Sequence, residues 1–395
     1  MASSPVSGPA AGPALDTAPW PIRLNKGHPT PRLLPVDEIR AAIGGLPDET
    51  AVAMLKYPLG GGGDLAFRAA LARFLGRRYG FPVAVEELVA TSGISLSLAM
   101  VCQLFAATGE LVVCSDPTYF LARDIFASAR LKVHGIAIDR HGLRVDLLEA
   151  QLRAGLRPTL LYCIPSFHNP TGVNLAPARA ERLVELAESH DFLVVADEPY
   201  TLLHFDAAPP PCMMSFDRGR GRVLSLGTFT KILAPGLRAG WVHGAPALIE
   251  RFLGHGALVS GGALSPVAYA AIHRLLDNGF LDRNVDRLRA VYGERAQVLT
   301  RALREEIADT RFYEPRGGYF FWLRLGDRYD GSRLAEAARA RGVEITPGSR
   351  CAIDRDLGQY VRLCFALYES DQLRRGVTRL AEAVRAVAHQ SRERR

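Results

Sequence analysis

Apolar and polar positions along this 395-residue chain switch repeatedly between helical and strand periods. Residues 65–79 repeat apolar side chains at helical spacing, the run Leu88-Val89-Ala90-Thr91 reads as a short strand, and a further helix opens near Ser95. Five more short apolar runs follow, at 111–114, 160–164, 192–197, 223–226 and 239–242. Short apolar strands separated by amphipathic helices predict a mostly parallel sheet covered on both faces. From about 280 to 308 the chain reads as one long helix rich in Arg, Leu and Ala. Beyond it comes a smaller α+β unit, with strands at 318–323 and 360–366 and helices at 332–341 and 370–389. The expected division is a large domain over 56–285 and a small domain from both chain ends, 20–55 and 286–395. Residues 1–19, rich in Ala, Pro, Ser and Gly, are expected to be a disordered tail rather than a signal peptide.

Composition narrows the function without naming it. At 48% hydrophobic residues the chain has material for a large core. Its net charge of +7 comes from arginines scattered among acidic residues, and the one basic cluster, Ser391-Arg392-Glu393-Arg394-Arg395, reads as a solvated helix end rather than a nucleic-acid site. The six cysteines show neither a C-x-x-C pair nor metal-like spacing, so no metal is expected. Several lie in apolar runs, where Cys packs as a small hydrophobe, and this suits a reducing cytoplasm. No segment is apolar for long enough to span a bilayer.

Only Lys26, Lys56, Lys132 and Lys231 are lysines. Lys231 is framed by hydroxyls, glycines and a following arginine, in Gly227-Thr228-Phe229-Thr230-Lys231 and Ala234-Pro235-Gly236-Leu237-Arg238. A lysine can lose its proton and bond to an aldehyde, whereas an arginine cannot, so the setting is that of an amine joined to an aldehyde cofactor carrying a phosphate. Two hydroxyls, Thr228 and Thr230, with the Arg238 guanidinium suit a phosphate dianion. In Thr91-Ser92-Gly93-Ile94-Ser95 a strand ends and a helix opens, which makes either an anion cradle or an ordinary cap. Tyr119 suits either stacking on a flat heteroaromatic ring or plain packing. Asn169, in Asn169-Pro170-Thr171-Gly172, offers an amide donor to a phenolate, which Tyr200 is placed to share. Asp197 ends a strand, where a carboxylate under a pyridine nitrogen would keep that nitrogen protonated. Arg362 lies amid apolar residues and calls for a partner, either a substrate carboxylate or a structural salt bridge.

Taken in order, these segments resemble the fold-type I, pyridoxal-phosphate-dependent class I and II aminotransferases, over nearly the whole chain from about Ile22. Asn169-Pro170-Thr171-Gly172, Asp197 with Tyr200, and Lys231 with Arg238 carry the resemblance. It implies an α/β fold with a mostly parallel seven-stranded sheet between helices. It implies pyridoxal 5'-phosphate held as a Schiff base on Lys231, with Asp197 at the ring nitrogen, Asn169 and Tyr200 at the ring oxygen, and Tyr119 stacked on the ring. Gly93, Ile94, Ser95, Thr228, Thr230 and Arg238 would bind the phosphate. Arg362, with Gly27 and Asn169, would face the substrate. Lys56-Tyr57-Pro58 is similar to a segment whose tyrosine reaches the phosphate of the neighbouring subunit, which implies a homodimer. The segments 27–35 and 259–263 are closest to the 2-aminoadipate/kynurenine branch.

Several positions depart from the family pattern. Ile94 stands where a small or hydroxylic residue is common, Thr occupies both 228 and 230 where Ser is usual, and four consecutive glycines fill 60–63. His28 is either a second acid/base beside Lys231 or a loop histidine without a chemical role. The implied reaction is transamination of an α-amino acid and an α-keto acid through a quinonoid intermediate. The glycine run and His28 motivate a rival on the same fold, an amino-acid oxidase or a γ-eliminating, carbon–carbon-bond-forming enzyme. A second rival, a transcriptional regulator with an aminotransferase-like domain, needs a DNA-binding module, for which residues 1–19 are too short.

Overall fold

The structure is a computed structural model that describes residues 21–57, 61–206, 208–308, 310–326 and 329–393, the side chains of 389–393 excepted. The tail expected over 1–19 and the last two residues of the C-terminal basic cluster, Arg394 and Arg395, lie outside these.

The helices form where the pattern places them, and their ends are set by local chemistry. The helix Leu65–Tyr79 starts where the Asp64 carboxylate accepts the Phe67 N–H at 2.8 Å. It stops at Gly80, whose φ of 78° is left-handed. Phe67, Ala70, Leu71, Phe74 and Leu75 fall on its buried face, and Phe67 stacks on Tyr269 with ring centroids 4.8 Å apart.

The main sheet has eight strands, in the spatial order Leu88–Thr91, Gly240–Gly244, Val223–Thr228, Leu193–Asp197, Leu160–Cys163, Leu111–Asp116, Lys132–Asp139 and Gly142–Leu143. Five strands from Val223–Thr228 to Lys132–Asp139 are mutually parallel, while Gly240–Gly244 runs antiparallel to both its neighbours. The expected count of seven is corrected by the two-residue strand Gly142–Leu143, which folds back antiparallel on Lys132–Asp139 and covers that edge. Lys132–Asp139 itself lacks the apolar density of the inner strands, since only Ile136 in it is buried. Its sequence pattern is correspondingly faint.

Thr91, Asp116, Cys163, Asp197 and Thr228 end strands that point the same way, so the segments following them gather at one edge of the sheet. Crevices at the carboxyl ends of parallel strands are where open α/β sheets hold ligands.

The second unit is built on the 27-residue helix Phe280–Glu306, which packs on the C-terminal helix Ser370–Glu393. The expected domain boundary at 285 falls inside that unbroken helix. Arg295 is buried in it with its charge met by Glu369 at 2.7 Å and a hydrogen bond to the Ala366 carbonyl at 2.7 Å. A three-stranded antiparallel sheet places Tyr360–Cys364 between Phe320–Arg324 and Thr346–Pro347. The N-terminal strand Ile22–Arg23 pairs with Val343–Glu344, and the Cys364 N–H donates to the Leu24 carbonyl at 2.7 Å. Residues 22–28 are thereby carried to the edge of the large sheet where the strand ends gather.

One glycine in the large sheet is fixed by space alone. Gly227 lies opposite Trp241, and a Cβ built there would stand 2.0 Å from the indole. Gly227→Ala is therefore expected to lower unfolding free energy by about 3 kcal/mol, through forced displacement of a packed tryptophan. Urea denaturation of the two proteins would measure it; an unchanged midpoint would mean the indole has room that the packing does not show.

Candidate active site

The segments at the strand ends enclose a cavity of about 410 Å³. Its wall contains Gly27, His28, Ile94, Ser95, Tyr119, Asn169, Asp197, Tyr200, Thr228, Thr230, Lys231, Arg238 and Arg362, so thirteen of the fifteen residues singled out in the sequence meet there. Gly93 stands just behind the wall, and Tyr57 does not take part. A Cβ on Gly93 would approach the Arg238 guanidinium to 3.3 Å, and the backbone φ of 94° favours glycine as well. The Tyr57 side chain is 80% exposed and outside the cavity. Pro58 and Gly60 lie outside the described residues.

Asp197 is the buried charge at the floor. One carboxylate oxygen accepts a 2.6 Å hydrogen bond from the Tyr162 hydroxyl. The other, Oδ1, is buried and has no hydrogen-bond partner among the described residues. Burial raises its pKa to about 6, against the lowering effects of the Tyr162 hydrogen bond and the Lys231 charge. Glu198, next along the chain, turns away to accept the Met213 N–H at 3.1 Å.

Lys231 approaches the same space from the segment after Val223–Thr228. Its Nζ donates to the Gly27 carbonyl at 2.9 Å, a contact across 204 residues of sequence. Burial lowers its pKa from the ordinary 10.5 to about 8, with the Cys364 thiol and Asp197 acting in the opposite sense. The amine is thus close to losing its proton at neutral pH, which a nucleophile or base requires. His28 has its pKa lowered too, first by burial and then by the charges of Lys231 and Lys26, so its imidazole is neutral at pH 7.

Arg362 is buried and has no acidic partner among the described residues. It donates to the Asn169 Oδ1 at 2.8 Å, the Asn25 carbonyl at 2.9 Å and the Thr346 hydroxyl at 3.3 Å, while its Nε is left unsatisfied. The salt-bridge alternative for this residue is thus without a carboxylate to make it. With its Oδ1 engaged, Asn169 keeps its NH₂ group for a bound oxygen.

Opposite Asp197 the wall is built to take an anion. The helix Ile94–Phe105 begins here behind Gly93, and its first turn leaves backbone N–H groups free. The exposed Ser95 and Arg238 side chains flank it, while the Thr228 hydroxyl donates to that of Thr230 at 2.9 Å. A phosphate-bearing pyridine aldehyde fits this arrangement. The orphaned Asp197 oxygen suits a protonated ring nitrogen, Lys231 the aldehyde carbon, and the helix start the phosphate.

Several wall residues carried no signal of their own. Phe120, Phe320, Thr346 and Arg350 line the cavity, and Tyr162 reaches it through Asp197. Tyr162 sits in an apolar run that reads only as a strand, and Arg350 in a segment with no period at all. Only the folded chain brings them to the site.

A sheet of this order with a lysine, a buried aspartate and an anion-binding helix start at its carboxyl edge defines a pyridoxal-phosphate enzyme of fold type I. The family model of aminotransferase class I and II matches residues 37–380, and the chain belongs to that family. Aromatic-amino-acid aminotransferase 1 of Thermococcus litoralis is 32% identical over 92% of this chain and 88% of its own. The 2-aminoadipate transaminase of Thermus thermophilus is 31% identical over 94% of this chain and 92% of its own. The crystal structure of Pyrococcus horikoshii kynurenine aminotransferase, in complex with PMP, superposes with a TM-score of 0.87 at 31% identity, covering 93% and 92% of the two chains. The protein is a pyridoxal-phosphate-dependent aminotransferase that acts on amino-acid and keto-acid substrates, similar to aminotransferases named for aromatic amino acids, 2-aminoadipate and kynurenine. The rival oxidase or carbon–carbon-bond-forming reading finds no support among these relatives.

The lowered pKa of Lys231 has a consequence for stability. Between about pH 8 and pH 10.5 the unfolded chain holds the Lys231 proton and the folded chain does not, so the unfolded state binds more protons and stability rises with pH. In the cofactor-free protein, the unfolding free energy of wild type relative to Lys231→Met should rise by roughly 2 kcal/mol from pH 8 to pH 10. Denaturant titrations across that range would show it; parallel curves would mean the amine keeps an ordinary pKa.

Proposed function

We propose that Lys231 is the residue that bonds the cofactor and moves the substrate proton. The observation that carries this is the meeting, in one cavity, of its deprotonation-prone Nζ, an Asp197 Oδ1 with no hydrogen-bond partner and an Arg362 guanidinium with no carboxylate partner among the described residues. Pyridoxal 5'-phosphate, when bound, supplies an electron sink for the charge that develops at the substrate Cα. Asp197 holds the proton on the ring nitrogen, and the buried Tyr162 hydroxyl keeps the carboxylate aimed. The Asn169 amide and the Tyr200 hydroxyl receive the ring oxygen, and Tyr119 lies against the ring. The N–H groups at Gly93, Ile94 and Ser95, with Thr228, Thr230 and Arg238, take the phosphate. Arg362 receives the substrate α-carboxylate, with Asn169 steadying its guanidinium and the Gly27 carbonyl steadying Lys231. Nζ then removes the Cα proton. His28, neutral and at the mouth, serves as a second acid/base.

The same reading extends to assembly and location. Tyr57, with the exposed Leu55 and Val52 beside it, suits a face against a second copy of the chain, whose phosphate site Tyr57 would reach. The working form is thus a homodimer, divided into a large domain over 56–285 and a small domain over 20–55 and 286–395. Six free, buried cysteines agree with a cytoplasmic location. Among the described residues no helix is long and apolar enough to cross a membrane.

Absorption spectra of the purified holoenzyme, recorded while amino acids are added without a keto acid, test the chemistry. Stoichiometric bleaching, reversed by a keto acid, is expected for wild type. Lys231→Ala should show no turnover, and Asp197→Ala should lose at least ~100-fold, since the ring proton is no longer held. Near-normal turnover in a folded Lys231→Ala protein would sink the assignment. Sedimentation should give twice the chain mass, and Tyr57→Phe should weaken cofactor binding by about 10-fold through one lost hydrogen bond to an anion. A monomer at micromolar concentration would overturn the role of Tyr57.

A further inference from the structure

Lys231 stands in the turn just beyond the strand Val223–Thr228, in no helix or sheet that would satisfy its peptide. Backbone carbonyls shielded from water must be bonded somewhere, and those of Lys231 and Ile232 find side chains from distant parts of the chain. The Tyr319 hydroxyl donates to the Lys231 carbonyl at 3.2 Å, across 88 residues of sequence. The Asn284 amide donates to the Ile232 carbonyl at 2.8 Å. Asn284, Tyr292 and Tyr319 are all buried, and none of them lines the active-site cavity. No step assigned to the cavity residues uses them.

Tyr319 is itself firmly held. Its hydroxyl lies 3.3 Å from that of Tyr292 on the long helix Phe280–Glu306, so it can accept from Tyr292 while giving its one proton to Lys231. Its ring packs against Tyr292 and Tyr200, with centroids 5.0 and 5.3 Å away. Its own carbonyl accepts from the Phe365 N–H at 3.1 Å. Just before it, Gly317 and Gly318 press on Phe167 so closely that a Cβ would stand 2.4 Å from that side chain at the first and 2.7 Å at the second. Burial pushes the Tyr319 pKa well above the ordinary 10, so the hydroxyl keeps its proton at neutral pH. The Lys231 Nζ lies over the same ring, 5.5 Å from its centroid, within reach of a cation–π attraction. One side chain thus meets both ends of Lys231, the peptide by its hydroxyl and the amine by its ring.

We propose that Tyr319 is a positioning residue for the reaction of Lys231. By fixing the peptide and flanking the amine, it delivers the end of a long, flexible side chain to one point in the cavity. Misplacing a reacting group by about 1 Å costs on the order of 100-fold in rate, so a residue that touches no substrate still governs the chemistry. The inference rests on the reading of Lys231 as the residue that bonds the cofactor.

Stopped-flow absorbance, recorded as pyridoxal 5'-phosphate is added to the cofactor-free enzyme, tests it apart from turnover. After docking, Nζ attacks the aldehyde carbon, water leaves, and a first-order phase reports the new carbon–nitrogen bond. Tyr319→Phe keeps the ring and loses the hydroxyl, and it should slow that phase by about 10- to 100-fold. The affinity for pyridoxamine 5'-phosphate, which fills the same site without bonding Lys231, should match that of wild type. Tyr292→Phe leaves the bond from Tyr319 to Lys231 in place and should slow the phase far less. A wild-type rate in Tyr319→Phe would overturn the role of Tyr319 and leave the reading of Lys231 standing. So would a loss of pyridoxamine 5'-phosphate affinity as large as the slowing, or equal slowing in Tyr292→Phe, since either means a general loosening of the tyrosine cluster. Persistence of the phase in Lys231→Ala would instead overturn the reading of Lys231, and the role of Tyr319 with it.

Discussion

The carboxylate of Asp197, carried on the end of an inner strand and roofed by a cavity, is the constraint around which this site is arranged. A buried carboxylate with one hydrogen bond is costly to ionise, which is why its pKa is drawn up to about 6. Tyr162, one strand over, satisfies one oxygen. The second oxygen can be met only by something that enters the cavity. A strand end on the inside of a parallel sheet is one of the few places where a fold can fix a charge so rigidly and still leave one side of it open. The sheet therefore determines where the chemistry happens, and the neighbouring strand ends supply the remaining groups.

A second constraint joins the two parts of the chain. Lys231 follows an inner strand of the large sheet and Arg362 lies on the small antiparallel one, yet both are held by carbonyls of one short N-terminal segment, Gly27 for the lysine and Asn25 for the arginine. That segment is anchored in turn by the pairing of Ile22–Arg23 with Val343–Glu344. Among the described residues neither cation forms an ion pair with a carboxylate, and both rest on neutral oxygens. Neutral acceptors hold a cation in position without cancelling its charge, and the cavity keeps a positive field for anionic ligands. The same logic separates these groups from Arg295, a buried arginine matched by Glu369, whose charge is spent inside the protein.

The sequence was most legible where apolar density was high. Strands such as Leu193–Asp197 and Val223–Thr228 are buried on both faces, so a continuous apolar run marks them, and the polar residues that end them stand out against it. The long helix Phe280–Glu306 and the amphipathic Leu65–Tyr79 were legible for the same reason. Lys132–Asp139 was not, because a strand near the edge is only partly buried and its alternation is interrupted by His134 and Gly135. The two-residue strand Gly142–Leu143 is too short for any period. Among the singled-out residues, Tyr57 was the one whose resemblance pointed to another subunit, and it stands outside the cavity of its own chain.

By itself the sequence determined the class of fold, the order of its elements, and the polar residues that close each inner strand, because these follow from burial pattern and residue chemistry over a few positions. Only the tertiary structure decided that Gly27 would accept from Lys231 and Asn25 from Arg362, that Tyr162 would hold Asp197, and that Arg350 would stack on Phe120 at the mouth. The reason is physical. Local periodicity records which side of an element is buried, whereas these contacts join residues tens to hundreds of positions apart. Their geometry is set by how strands and helices pack, and no short stretch of the chain contains it.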